Sequence, residues 1–174
     1  MTATSQNGWP ALADGSDRLH VWTIPARTGE VRVRMRSGSA GFLLAHFVLW
    51  WSERLEPVRG AVLDDWGWAY RPVRGALVLS NHASGTAVDV NATAYPLGTE
   101  RMPAPMVRRV RRRLRLYGGC VGWGGDYRVR KDQMHLEIAR DLLACEQVAR
   151  RLMRTSRGRR LLEANPSQRA VIRS

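Results

Sequence analysis

Hydrophobic and polar residues alternate with different periods along the chain, and these periods predict both helices and short strands. Between Glu30 and Arg36, valine and methionine alternate with arginine, which predicts a half-buried strand with an arginine face. Apolar residues then recur at helical spacing from Ser39 to about Leu55, with Ser39 as the expected cap. The turn residues in 7–29 predict a loop-rich segment ahead of both elements.

The second half of the chain predicts a similar mixture. The pattern around His82 favours a loop, and small and β-branched residues at 86–91 predict a strand directly after it. A second strand is predicted at 134–138, between helices expected at 103–117 and 139–153. These elements alternate along the chain without an internal repeat.

The length bounds the domain organisation. A chain of 174 residues fits one domain with a real hydrophobic core. We expect that domain to cover 1–155 and to be followed by a basic tail or linker at 156–174. The longest apolar stretch, 41–51, is well short of the roughly 20 residues that span a bilayer, so no membrane span is predicted. Residues 1–14 lack a signal peptide, which predicts synthesis without secretory export.

The charge is strongly basic. The formal net charge is +13, and Lys131 is the only lysine, so arginine carries nearly all of the positive charge. Such a field favours an anionic partner, and nucleic acid, a membrane surface and an anionic cell-wall polymer all satisfy it. Cys120 and Cys145 lack the spacing of a metal knuckle or a disulfide framework, so we expect two small buried residues.

Candidate chemistry is concentrated around two histidines. His82 and Asp89 lie in a polar, glycine-bearing stretch, and His135 follows Asp132 by three residues. Two imidazoles and one carboxylate are the usual protein ligands of a catalytic Zn²⁺, which keeps a further position open for water. Asp132 is placed one turn from His135 and is the first candidate for a general base. Glu137 would share a strand face with His135 and is the second candidate, or an outer partner of that ligand.

Three motifs carry a family resemblance. The stretch S-x-H-x-x-G-x-A-x-D runs from Ser80 to Asp89, Trp-Gly-Gly-Asp lies at 123–126, and D-x-M-H-x-E lies at 132–137. Together they resemble the VanY-like D-alanyl-D-alanine carboxypeptidases, a family of zinc peptidases that includes the L-alanyl-D-glutamate peptidases of phage endolysins. Tyr70-Arg71 resembles the Gly-Tyr-Arg element of the family, with Ala69 in place of its glycine.

The resemblance implies a fold, a cofactor and residue roles. The fold would be the α+β Hedgehog/DD-peptidase fold, a small antiparallel sheet flanked by helices. His82, Asp89 and His135 would bind Zn²⁺, and Asp132 would be the base. Arg71 would stabilise an oxyanion or bind a substrate carboxylate, and Glu137 is kept as the other catalytic candidate. Residues expected to contact substrate are Tyr70, Ser80, Trp123 and Asp126.

The expected function is hydrolysis of a peptide bond in the stem or cross-link of bacterial peptidoglycan. We expect a monomeric phage endolysin that reaches the wall after the membrane is permeabilised, and anionic wall polymers would account for its charge. Two alternatives remain, a non-catalytic wall-binding domain and a nucleic-acid-binding module built on the arginines at 108–115. No helix-turn-helix or zinc-finger pattern accompanies those arginines, so nucleic acid is the less favoured partner.

Overall fold

A two-stranded antiparallel sheet lies near the start of the chain. The computed structural model describes residues 3–58, 67–73 and 75–173. Strand β1 spans Leu19–Ala26 and pairs with β2, Gly29–Arg36. The predicted strand at 30–36 is confirmed, whereas the loop-rich segment expected at 7–29 contains β1. The alternation in β1 is hard to recognise because Val21 is exposed while Trp22 and Ile24 are buried, and because Pro25 lies near its end.

Helix α1, Ser39–Arg54, forms the centre of the core. Its residues 39–52 are all buried, and it contacts β1 and the later helices at 142–152 and 156–163. The predicted helix is therefore confirmed. Its cap is Gly38, with a φ of 79°, and Ser39 is the first helical residue, so the cap expected at Ser39 lies one position too late. Arg36 belongs to the predicted arginine face of β2, where arginines are ordinarily solvated, but it is buried and its guanidinium donates to the carbonyls of Pro10 and Ser84.

A second, three-stranded sheet follows in the chain. Strands β3 (Ala87–Asp89), β4 (Val121–Trp123) and β5 (His135–Ile138) have the order β3-β5-β4, and both pairings are antiparallel. Strand β5 is therefore central and contacts both neighbours. The predicted strands at 86–91 and 134–138 are confirmed in slightly shorter form.

Helices cover the rest of the second half. Helix α2 spans Ala104–Leu114 and continues into a 3-10 turn at Arg115–Tyr117, and α3 spans Leu142–Leu152. These confirm the helices predicted at 103–117 and 139–153. With its antiparallel sheets and helices, the described part of the chain is of the α+β class. No helix within that part is long and apolar enough to cross a membrane.

The C-terminal residues differ from the tail expected at 156–174. They form α4, Ser156–Glu163, and α5, Gln168–Arg173. Thr155 caps α4 by accepting a hydrogen bond from the backbone N–H of Gly158. Leu161, Leu162 and Ile172 are buried in the common core, so these helices belong to the body of the protein. The dense arginines hide the few apolar positions that hold each short helix in place.

Candidate metal and catalytic site

His82 is positioned by a short 3-10 helix, Asn81–Ser84, just before β3. The hydroxyl of Ser80 caps this helix by accepting from the backbone N–H of His82, at 3.3 Å. Gly85 ends the helix with a φ of 67°, and a Cβ added there would lie 2.7 Å from the backbone nitrogen of Arg36. The serine and glycine of the S-x-H-x-x-G stretch therefore fix the backbone around this histidine.

Asp89 and His135 face each other across the second sheet. They are direct partners in the antiparallel register of β3 and β5, an arrangement that brings side chains on one face together. His135 Nδ1 lies 2.8 Å from Asp89 Oδ1, and His82 Nε2 lies 3.4 Å from Asp89 Oδ2. All three residues are buried. Strand pairing thus joins residues that are separated by more than forty positions in the sequence.

This trio has the donor set and the spacing of a metal site. One ligand atom from each of His82, Asp89 and His135 can be chosen so that all three lie within 4.8 Å of one another. His82 Nδ1 lies 2.7 Å from the carbonyl oxygen of Gly67, which accepts its N–H and leaves Nε2 facing the carboxylate. The residues therefore fit a metal ion held by two imidazoles and one carboxylate.

Opposing effects set the protonation of Asp89 and His135. Burial favours the neutral acid at Asp89, but the neighbouring His82 and His135 lower its pKa below the usual range. Burial likewise opposes a charged His135, yet its hydrogen bonds to Asp89 and Glu137 raise its pKa. Asp89 is therefore ionised between the two histidines, and its negative charge can balance either a proton on His135 or a bound cation.

Glu137 is a hydrogen-bonded partner of His135. Its Oε2 lies 3.3 Å from His135 Nε2 and also accepts from the side-chain amide of Asn81. The hydroxyl of Tyr127 is a further hydrogen-bond partner of this carboxylate. These contacts hold the imidazole of His135 from the side opposite Asp89, the arrangement in which a carboxylate orients a metal-binding histidine.

Asp132 differs from Glu137 in having an unengaged oxygen. Its Oδ1 is buried, and no described residue forms a hydrogen bond with it. Burial is the main cause that raises the pKa of Asp132 to about 6, and the nearby negative charge of Asp89 adds to the increase. A carboxylate with an open acceptor position and a pKa near neutrality is suited to proton transfer.

The trio and both carboxylates lie on one cleft of about 830 Å³. Arg71 and Ser80, predicted from the sequence, also line it, and so does Arg130, which was not predicted. The structure places the remaining predicted substrate contacts elsewhere. Tyr70 is 55% exposed outside the lining, Trp123 is buried in the core, and Asp126 is exposed and pairs with Arg111.

Sequence reasoning also missed the N-terminal segment of the site. Gln6 and Asn7 line the cleft although nearly eighty residues separate them from His82. The amide of Asn7 donates to the hydroxyl of Thr86 and the carbonyl of Ile138, and its backbone N–H donates to Asn81. A single asparagine in a loop has no periodicity that would reveal such contacts.

Comparison with known families gives one match. Residues 74–138 match the family model described as D-alanyl-D-alanine carboxypeptidase. The match includes the three clustered ligands and both candidate bases, whereas Arg71 lies just outside it. Neither the curated proteins nor the solved structures that were searched yielded a match.

Proposed function

We propose that this chain, whose residues 74–138 carry the D-alanyl-D-alanine carboxypeptidase family sequence, is a zinc peptidase that hydrolyses a peptide bond of bacterial peptidoglycan. The observation that carries the proposal is the buried cluster of His82, Asp89 and His135 inside the matched segment. The family match supports a peptidase, and the two imidazole ligands favour Zn²⁺ over Mg²⁺ or Ca²⁺, which prefer oxygen ligands.

The proposed roles follow from the contacts of each side chain. Bound zinc supplies electrophilic activation of the scissile carbonyl and lowers the pKa of a water molecule. Asp132 takes a proton from the attacking water at its unengaged Oδ1 and returns it to the leaving amine. Glu137 is already bonded to His135 and Asn81, so we assign it to positioning that imidazole. We therefore propose Asp132, and not Glu137, as the general base.

Arg71 and Ser80 are proposed to act on the substrate from the wall of the cleft. The guanidinium of Arg71 provides a positive charge for an oxyanion or a substrate carboxylate. The cleft lining does not include Tyr70, Trp123 or Asp126. Their contact with substrate therefore stays a prediction. Trp123 Nε1 donates to the carbonyl of Gln133 at 2.8 Å, next to Asp132, so it supports the base from the core.

Digestion of purified peptidoglycan tests the proposal. The products are resolved by mass after treatment with the protein alone, with a chelator, and with the chelator followed by Zn²⁺. We expect new amine ends that disappear with the chelator and return with zinc, and their masses will identify the bond as terminal D-alanine, stem or cross-link. Absence of new ends in the zinc-loaded protein would contradict the proposal and favour a wall-binding domain.

The resemblance to phage lysins extends the proposal to host-cell lysis. Addition of the protein to bacteria with permeabilised membranes is expected to lower turbidity, and the Asp132→Asn variant is expected not to. Equal clearing by both proteins would show that lysis does not come from peptide hydrolysis.

A further inference from the structure

The C-terminal helices line a solvent-open cavity, with exposed arginines around it, on a part of the chain that the family match does not include. It has a volume of about 560 Å³ and lies among α3, the α3–α4 turn, α4 and α5. We name it the arginine cavity, and it is lined by Arg150, Met153, Arg154, Arg159, Leu162 and Arg169. It shares no lining residue with the catalytic cleft. Its chemistry is therefore separate from that of the metal cluster.

Positive charge in the arginine cavity is largely uncompensated. Next to it, Arg157 and Arg160 of α4 both form ion pairs with Glu53. Within the described residues, by contrast, Arg154, Arg159 and Arg169 have no ion pair with a carboxylate. The remaining arginine, Arg150, lies 3.9 Å from Glu146, at the limit of a salt bridge. None of the lining residues is acidic.

Two contacts hold one of these guanidinium groups in place. Arg159 is exposed, and its guanidinium donates to the backbone carbonyl of Arg154 in the α3–α4 turn and to the hydroxyl of Ser156 at the start of α4. Met153 and Leu162 are both buried and give the cavity an apolar floor. A ligand that fits must therefore carry negative charge toward several guanidinium groups and an uncharged face toward the floor.

We propose that the arginine cavity binds the phosphate groups of an anionic phosphodiester polymer. Guanidinium presents a planar fork of donors that matches phosphate oxygens in pairs, and several guanidinium groups around one cavity repel one another until an anion enters. The cavity is far larger than one phosphate ion, so a polymer segment with its alcohol or sugar backbone fills it better. The choice of a cell-wall polymer rests on the proposed function, whereas the phosphate chemistry does not.

The test compares two variants that lose the same charge. The cavity variant carries Arg154→Gln, Arg159→Gln and Arg169→Gln, and the control carries Arg108→Gln, Arg112→Gln and Arg115→Gln at exposed positions of α2 and the turn after it. Binding of a synthetic poly(glycerol phosphate) oligomer is measured by calorimetry at physiological salt. We expect the cavity variant to bind at least tenfold more weakly and the control to change by less than about threefold. Equal weakening in both variants would overturn the proposal, since diffuse charge would then account for binding.

Two further ligands separate the sources of phosphate. Phosphatidylglycerol vesicles and duplex DNA are offered at the same phosphate concentration, and we expect the oligomer to bind more tightly than either. Preference for vesicles or DNA that is lost only in the cavity variant would overturn the assignment to a wall polymer. Should the triple variant fail to fold, Arg169→Gln alone is expected to weaken binding of the oligomer about threefold, and no change would overturn the proposal.

Peptidase activity is recorded in parallel on a short soluble peptide. The cavity variant is expected to keep wild-type turnover, because no residue of the arginine cavity lines the catalytic cleft. A protein that binds the oligomer but does not hydrolyse peptide would contradict the proposed function alone. A protein that hydrolyses peptide but does not bind the oligomer would contradict the arginine cavity alone.

Discussion

The carboxylates of Asp132 and Glu137 lie close to the same imidazole but have different surroundings. Since Asp132 Oδ1 has no hydrogen-bond partner among the described residues, Asp132→Asn is expected to retain bound metal and lose about 100-fold or more in kcat.

Glu137→Gln leaves the proposed base intact but loosens His135, so it is expected to weaken metal affinity about tenfold or more and to recover turnover at high zinc. Metal content and kcat are measured for both variants. A larger fall in zinc-saturated kcat for Glu137→Gln would reverse the two roles.

His46 is a buried histidine that has no part in the metal site. Its Nδ1 lies 2.8 Å from the hydroxyl of Tyr117, and its ring contacts Phe42 on the same helix. Burial is the main cause that lowers its pKa to about 3, with the positive charges of Arg113 and Arg157 adding to the effect. His46 is therefore a packed histidine of the core, held by contacts with aromatic side chains.

The lowered pKa of His46 predicts a loss of stability in acid. Between about pH 6.5 and about pH 3, the unfolded chain binds a proton at this histidine and the folded chain does not. The free energy of unfolding should therefore fall as the pH falls below 6.5, by up to about 1.4 kcal/mol per pH unit from this group. Above pH 6.5 its contribution is fully present.

Urea unfolding between pH 4 and pH 7 checks this prediction. His46→Gln keeps a polar side chain near Tyr117 but cannot take up the proton, so it serves as the matched control for every carboxylate that titrates in the same range. The difference in unfolding free energy between wild type and variant should grow with pH. Parallel curves for the two proteins would show that the folded state accepts the proton without cost.

At the scale of elements, two glycines let the loop that carries Asp132, the proposed base, approach β4. Gly124 follows β4 directly, and a Cβ added there would lie 2.4 Å from the backbone oxygen of Asp132. The carbonyl of Gly124 also accepts from the N–H of Asp132, at 2.9 Å. A Cβ on Gly125 would meet the ring of Trp123 at 2.3 Å. The loop that carries Asp132 can therefore pack closely against the Trp-Gly-Gly stretch only because the two positions are glycine. This close packing explains the two glycines of the motif in structural terms.

Replacing Gly124 should separate activity from metal binding. In Gly124→Ala the new methyl group displaces the backbone of Asp132, whereas His82 and Asp89 are held by other elements. We expect kcat to fall about 100-fold with zinc content near wild type. The control is Gly119→Ala, because no atom lies within 4 Å of a Cβ added there. The positive φ of Gly119 strains any residue with a side chain, so this control shows the effect of backbone strain without a steric clash. Wild-type kcat in Gly124→Ala would show that the loop relaxes without moving the base.

The elements also show what the sequence could predict. Period and motif spacing predicted α1, α2, α3 and β5, and they brought His82, Asp89 and His135 together because short motifs and strand pairing impose that geometry. Strands β1 and β4 and the helices α4 and α5 were missed, since proline, aromatic residues, glycine or arginine obscure their few buried positions. The hydrogen bonds of Asn7 with the second sheet depend on tertiary packing, which leaves no local pattern.

At the scale of the whole molecule, the net charge of +13 bears on how the protein would meet the substrate proposed for it. Positive charge is present on both α2 and the C-terminal helices, whereas the candidate cleft combines Asp89, Asp132 and Glu137 with Arg71 and Arg130. Under the proposed function, the basic surfaces would act on encounter with an anionic polymer, and the cleft would act on the bond to be cut. Electrostatic steering of this kind raises association rates and decreases as salt screens the field.

Salt should consequently change activity on the wall and leave intrinsic chemistry unchanged. Raising the salt from about 50 to about 500 mM shortens the Debye length from roughly 14 to roughly 4 Å. Because steering weakens over that range, we expect kcat/KM on insoluble peptidoglycan with attached anionic polymer to fall about tenfold. On a short uncharged peptide, both kcat and KM should stay within about twofold, because no long-range field steers that substrate. Peptidoglycan stripped of its anionic polymer is the matched substrate control, and its salt dependence should be much weaker. A tenfold loss on the short peptide as well would mean that salt acts on the cleft itself, and the basic surfaces would then need another role.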